Sequence, residues 1–255
     1  MGSLEGIDAV FVLSVRSFTE RISHIERHFA ERGVGFEFIF DFDVPDLTTE
    51  CVREVFGSST MSPAAKSLVL KHIHAWRLGV ERGCRRILVF EDDAILADFF
   101  IQRLGGIMEC IGTLESGYLV FLGGSDTKVP DEFFLQKGPF IRQPIATAEG
   151  YLSDADALKR RLGWLQDHTA DQPADHLIKQ IDKACGICQY WLENSLVEQG
   201  SVFGMFNTSL DGNRQKHSRQ YNYLRYHWNR LWRRRVRKWV VRLRYAISRS
   251  GMPQS

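Results

Sequence analysis

The chain has 255 residues, 44% of them apolar and 25% charged, which suits one globular domain with or without an appendage. Its formal charge of +2 conceals two opposed segments: all 31 Asp and Glu lie at or before Asp211, so residues 1–213 carry −11 and residues 214–255 carry +13. No apolar run approaches the ~18 residues of a spanning helix. Met1-Gly2-Ser3-Leu4-Glu5 lacks the basic and apolar regions of a signal peptide. Five cysteines without framework spacing fit reduced thiols in the cytoplasm, and the lone Cys185-Gly186-Ile187-Cys188 reads as helix packing before it reads as a metal or redox pair.

In chain order, the apolar run over 9–13 predicts a buried first strand. A helix over 19–32 follows, with Ile22, Ile25, Phe29 and Ala30 on one face and Gly33 as its stop. Residues 36–40 read as a second strand, ending in Asp41-Phe42-Asp43. Pro63 is well placed in a first helical turn and opens a helix predicted over 63–81. Next comes a strand over 87–90, a helix over 97–114, and a strand over 118–122 closed by Gly123-Gly124. The alternation predicts right-handed βαβ units and a mostly parallel sheet. Beyond Gly124 the pattern loosens to a strand within 147–152 and helices over 154–165 and 175–184.

The strand over 87–90 runs without a break into Glu91-Asp92-Asp93. Adjacent acids repel, and a buried ionised carboxylate is costly unless it is paired or holds a metal. A hard divalent cation resolves the conflict, since Mg²⁺ and Mn²⁺ take oxygen ligands and keep positions open for substrate phosphates. A solvated acidic turn is the competing reading.

The ordered segments together resemble glycosyltransferase family 25, the lipooligosaccharide and lipopolysaccharide glycosyltransferases that include collagen galactosyltransferases. The segments are Val12-Leu13-Ser14-Val15-Arg16-Ser17 with Arg21, then Phe29, then Gly33-Val34-Gly35-Phe36-Glu37. They continue with His72, Ala75-Trp76 and Gly83, the acidic segment 87–96, Thr147 to Ser153 with Ala157, Pro173-Ala174-Asp175, and Leu196 to Gln199. The resemblance covers roughly residues 8–215. Two places depart from it: Ala65-Lys66-Ser67-Leu68 stands for the family's Glu-Ile-Gly-Cys, and Lys71 for the Ser beside the helix His.

The resemblance implies a GT-A-like, Rossmann-type α/β fold over residues 1–213. It implies an inverting transfer of a sugar, galactose being the first choice, from its UDP form to a lipid-linked glycan acceptor, assisted by Mn²⁺ or Mg²⁺. Asp93 is then the metal ligand, with Glu91 or Asp92 holding the metal's water shell or the ribose. Ser14, Arg16 and Arg21 lie along the nucleotide, His72 orients a loop or the donor, and Asp175 is the base. Asp175 has the competing role of a helix N-cap, Arg16 and Arg21 that of surface salt bridges, and Asp154 and Asp156 are reserves for the base. His217 could complete a metal shell or be a linker residue.

Residues 214–255 form the second object. Leu224, Trp228, Leu231, Trp232, Val236, Trp239, Val240, Leu243 and Ile247 recur at spacings of three and four, with arginines filling the remainder. This predicts a basic amphipathic helix at an anionic membrane surface, on the inner face of the cell membrane. Packing on the acidic body comes second and nucleic acid third. The rival to an enzyme is a peripheral membrane or nucleic-acid module in which the tail is the working part.

Overall fold

The structure, a computed structural model, describes residues 4–124, 129–144, 147–202, 205–206 and 219–250. Its core is a seven-stranded sheet in the order β2-β1-β3-β7-β5-β8-β6. The strands are β1 (Ala9–Leu13), β2 (Glu37–Ile39), β3 (Arg86–Glu91), β5 (Tyr118–Phe121), β6 (Phe140–Arg142), β7 (Gly150–Asp154) and β8 (Cys188–Leu192). A ribbon of β4 (Ala94–Leu96) and β9 (Val197–Gln199) pairs beside it.

The sheet is mixed, which corrects the mostly parallel expectation. The pairs β1/β2, β1/β3 and β5/β8 are parallel, whereas β7 runs antiparallel to both β3 and β5, and β6 antiparallel to β8. The parallel β2-β1-β3 half, joined through helices, is the Rossmann-like part, and the α/β class holds. Apolar clusters cover both faces, which is why the central strands read as continuous hydrophobic runs.

Helices α1 (Thr19–Glu31), α2 (Thr49–Phe56), α3 (Pro63–Glu81), α4 (Phe100–Ile111), α5 (Glu132–Leu135), α6 (Ala155–Asp167) and α7 (Ala174–Ala184) flank the sheet. Helix α3 keeps its predicted bounds because Ser62 caps it, accepting a bond from the Ala65 amide, and Pro63 opens it. On α1, Ile25 and Phe29 are buried as expected, but Ala30 is exposed and His24 is buried in its stead. Cys185 follows α7 and Cys188 opens β8, so the CxxC bridges two elements with both thiols free.

The described residues of the tail, 219–250, are helical: α8 (Arg219–Arg230), a π-helical stretch Leu231–Val236, and α9 (Arg237–Ser250). Its basic side meets the body. Arg237 donates to the Val129 carbonyl at 2.6 Å and to Asp131, Lys238 to Glu193, and Arg242 to the Phe134 carbonyl at 2.9 Å. Val241 is buried there, while Trp228, Trp232, Trp239, Leu243 and Ile247 face solvent. The tryptophans of the apolar stripe therefore point outward and part of the basic face inward.

Candidate active site

The site is built where β1 and β3 end side by side. Leu13 pairs with Glu91 in parallel register, which brings Ser14 next to the acidic triplet. Ser14 Oγ donates to Asp92 Oδ2 at 2.8 Å, and Arg21, from the first turn of α1, donates to Asp92 Oδ1 at 2.6 Å. Three residues predicted to touch a donor thus form one internal network. Burial pushes the Asp92 carboxyl up, and the Arg21 guanidinium and the Ser14 hydroxyl pull against it.

Asp93 is held differently. Gly200 N–H donates to its backbone carbonyl at 2.7 Å and Ser201 N–H to its Oδ2 at 3.2 Å, so the end of β9 fixes the residue in place. Its Oδ1 is buried with no hydrogen-bond partner among the described residues. Glu91 likewise has no carboxylate partner among them. Burial first, then the charges of Asp93, Glu149, Asp92 and Asp175, push the Glu91 carboxyl well above the usual carboxylate range.

Glu149 is the residue that sequence reasoning missed. Register places Phe90 opposite Gly150, and the Glu91 amide donates to the Glu149 carbonyl at 3.2 Å. The Glu149 side chain accepts from the Gly124 amide and the Thr147 hydroxyl, and burial raises its pKa. The Gly123-Gly124 turn is shaped around it. A Cβ at Gly123 would lie 2.4 Å from Glu149 Oε1, and Gly124 adopts φ +79° against Trp191. That diglycine, directly after a buried strand, was the available signal.

The other predicted residues divide. Asp175 lies in the first turn of α7 but does not cap it, since Pro173 holds the cap position without a side-chain bond. It remains partly open to solvent and close enough to Glu91 for their charges to interact. Asp154, a reserve for the base, is buried, caps α6 and accepts from the Gly117 and Tyr118 amides. Asp156 pairs with Arg160 on the surface of α6. Arg16 bonds the Phe40 carbonyl at 2.9 Å and Asp46 at 3.3 Å while its side chain stays 58% exposed.

His72 lies buried on α3. It is 1% exposed, its Nδ1 lies 3.0 Å from the Tyr151 hydroxyl, which also accepts from Trp76 Nε1 at 2.9 Å, and burial pushes its pKa down to about 3. Its Nδ1 side lies between α3 and β7, while its Nε2 is buried with no hydrogen-bond partner among the described residues. The positions that depart from the family pattern have a visible task. Lys71 is buried and donates to Asp43 Oδ1 and to the Asp41 carbonyl, each at 2.7 Å, while Ser67 donates to the Phe42 carbonyl at 2.6 Å. Together they brace the loop after β2, where Phe42 sits at φ +65°.

Whether this edge suits a divalent cation turns on its donor set. No three His, Cys, Asp or Glu among the described residues converge into a metal cage. Mg²⁺-type sites, however, commonly use one or two protein carboxylates plus substrate phosphates and water. Asp93 Oδ1, buried and unpartnered, and the Glu91 carboxylate fit that sparser arrangement. His217 lies outside the described residues.

Among relatives, the lacto-N-neotetraose biosynthesis glycosyltransferase LgtE of Neisseria gonorrhoeae is 32% identical over 185 residues, 67% of this chain and 64% of that protein. LgtB of Neisseria gonorrhoeae is 32% identical over 92 residues, 34% of this chain and 33% of that protein. The inactive glycosyltransferase 25 family member 3 of Mus musculus is 23% identical over 146 residues, 52% of this chain and 25% of that protein. The chain spans less than two thirds of the length of each. Over residues 7–128, from β1 through the acidic edge and the diglycine turn, the chain matches glycosyltransferase family 25 (LPS biosynthesis protein).

Proposed function

We propose that the chain is an inverting glycosyltransferase that moves a sugar, galactose first among the candidates, from a UDP-sugar to a lipid-linked glycan acceptor with the help of Mn²⁺ or Mg²⁺. The observation that carries this reading is the buried, unpartnered Asp93 Oδ1 beside Glu91, inside the family-matched segment. Asp93 and Glu91 would hold the cation. When bound, the cation stabilises the negative charge that develops on the diphosphate leaving group.

The chain's own groups do the rest. Arg16 presents an exposed planar fork at the β1 edge, suited to phosphate or uracil oxygens. The Ser14–Asp92–Arg21 network fixes the first turn of α1 against that edge. Asp175 takes the acceptor hydroxyl's proton as the hydroxyl attacks the anomeric carbon. The braced loop at 41–43 is where donor preference would differ from the family's common pattern.

No helix of the described residues is long and apolar enough to cross a membrane. The tail's exposed tryptophans, with arginines at Arg225 and Arg244 also open to solvent, support a peripheral position on an anionic inner membrane face. The deciding assay is nucleotide release from a panel of nucleotide sugars, with and without Mn²⁺. One UDP-sugar should give metal-dependent release that Asp93→Asn abolishes; release from none of them would sink the reading. The inactive mouse relative motivates a second reading, a chain that binds the donor without transfer, which the same assay shows as UDP binding with no release.

A further inference from the structure

The tail roofs a groove whose lining includes none of Glu91, Asp92, Asp93 and Glu149. Its larger compartment, about 1040 Å³, is lined on the body side by Leu96, Arg103 and Ser195 and on the tail side by Leu231, Arg235 and Arg242. A second compartment of about 690 Å³ shares Ile95, Glu198 and His227 with the first and adds Met205, Tyr223 and Leu224. One compartment is rich in cations and the next is largely apolar.

The cations are in excess. Arg32, Arg103, Arg235, Lys238 and Arg242 line the larger compartment against three carboxylates, Asp98, Glu193 and Glu198. Glu193 is taken by Lys238, with Arg242 3.7 Å away, and Asp98 by Arg32 at 3.5 Å. Among the described residues the Arg103 side chain reaches only the Ser195 carbonyl, at 3.4 Å, and Arg235 has no ion pair. Guanidinium groups left in this state are matched by phosphoryl oxygens. The wall is also continuous with the site, since Ile95 and Leu96 follow Asp93 by two and three residues.

We infer that this groove binds an amphiphile with a phosphoryl head, namely the phosphate-bearing lipid end of the acceptor. Its head lies on Arg103 and Arg235, and its chain runs past Ile95, Tyr223 and Leu224. The acceptor identity rests on the glycosyltransferase reading; the site itself rests on the groove.

The test titrates the full chain calorimetrically with monomeric decyl phosphate, with inorganic phosphate and decyl maltoside as controls. UDP with Mn²⁺ is titrated in parallel. Saturable binding of decyl phosphate is expected, tighter than either control, and weakened at least about tenfold in Arg103→Ala/Arg235→Ala. Arg103→Lys/Arg235→Lys, which keeps the charge without the planar fork, should restore part of it, and melting temperatures identify any variant that fails to fold. UDP affinity should be unchanged in all variants. Equal binding of decyl maltoside would reduce the groove to an apolar cleft, and equal binding of phosphate to a plain anion site; either overturns the inference. UDP binding without decyl phosphate binding overturns the groove and leaves the transferase, whereas the reverse leaves the groove and removes the transferase. Co-sedimentation with phosphatidylglycerol vesicles should be the same for wild type and Arg103→Ala/Arg235→Ala. Its loss in the variant would assign the groove to bulk membrane lipid and overturn the acceptor assignment.

Discussion

Two clusters of largely buried charge in this chain differ in how well they are satisfied. Arg161 and Asp182 sit at 0% and 1% exposure, joined at 2.7 and 2.9 Å; Ser153 and Gln189 take further bonds, and Trp76 stacks on the guanidinium. At the end of β3, Glu91, Asp92, Asp93 and Glu149 crowd together, and Arg21 is bonded to one of them. Charge sealed by its own partners ties α6, α7, β7 and β8 together. Charge left without partners is an expense in the free protein, and it makes sense where a ligand completes it.

This contrast is sharpest in the rate of transfer. Asp175→Asn should lower transfer by ~10²–10⁴-fold, the usual range for removing a general base, while UDP affinity stays near wild type. Equal losses in both would make Asp175 structural. Asp93→Asn should cost a comparable factor at limiting Mn²⁺ with no fall in melting temperature; normal turnover would remove it from the metal.

The satisfied cluster should respond in stability. Arg161→Ala strands the Asp182 carboxylate in the core and should cost about 3–5 kcal/mol, read from urea unfolding. A loss below about 1 kcal/mol would show that the network is dispensable.

Two histidines add a dependence on acid. Burial, aided by Arg32, holds the His28 pKa down at about 4, and its Nε2 accepts the Leu96 amide at 2.8 Å; His72 is held at about 3. Unfolded, each takes a proton below about 6.5, whereas the folded chain refuses it until near 4 or 3. Their contribution is therefore full above pH 6.5 and lost as pH falls through that window, each by up to about 1.4 kcal/mol per pH unit. His72→Asn should flatten the acid limb of a stability profile, and an unchanged limb would contradict the burial argument.

The smallest effect has the opposite sign. Glu91 binds a proton more tightly folded than unfolded, so its cost appears as pH rises above its unfolded value near 4.5. In metal-free protein at pH 7, Glu91→Gln should raise stability while lowering activity, and at pH 4 the gain should vanish. Destabilisation at pH 7 would mean that the carboxylate has a partner after all.

Much of the first half was legible because its signals are local. Ser62-Pro63 opens a helix, Gly33 and Gly83 stop helices at positive φ, and the β1 and β3 runs are apolar without interruption. Helix α2 was missed although Thr48 caps it, because its eight residues carry too little periodicity to outweigh a reading as loop. Strands β6 and β8 are short or flanked by irregular segments. The direction of β7 was not legible at all: an apolar strand reads the same for either neighbour orientation. Glu149 could not be placed beside Glu91 without it. The tail's apolar stripe is visible in the sequence, but which side of the helix meets the body is not, since periodicity identifies two faces without saying which one packs. Arg237, Lys238 and Arg242 find carbonyls and acids on the body, and that turns the tryptophans outward.

The placement of β7 also governs which pieces of the chain can stand alone. Strands β3 and β5 do not pair with each other; each pairs with β7, which lies between them like the keystone of an arch. The family-matched stretch 7–128 therefore contains the acidic edge and five strands but lacks the strand that closes the sheet. Cut out as a fragment, it would present two raw edges of buried, apolar strand, the kind that pair with other copies. A growing chain would face the same hazard until residues 150–154 emerged, so the interval between synthesis of β5 and β7 is when this fold is most exposed to aggregation.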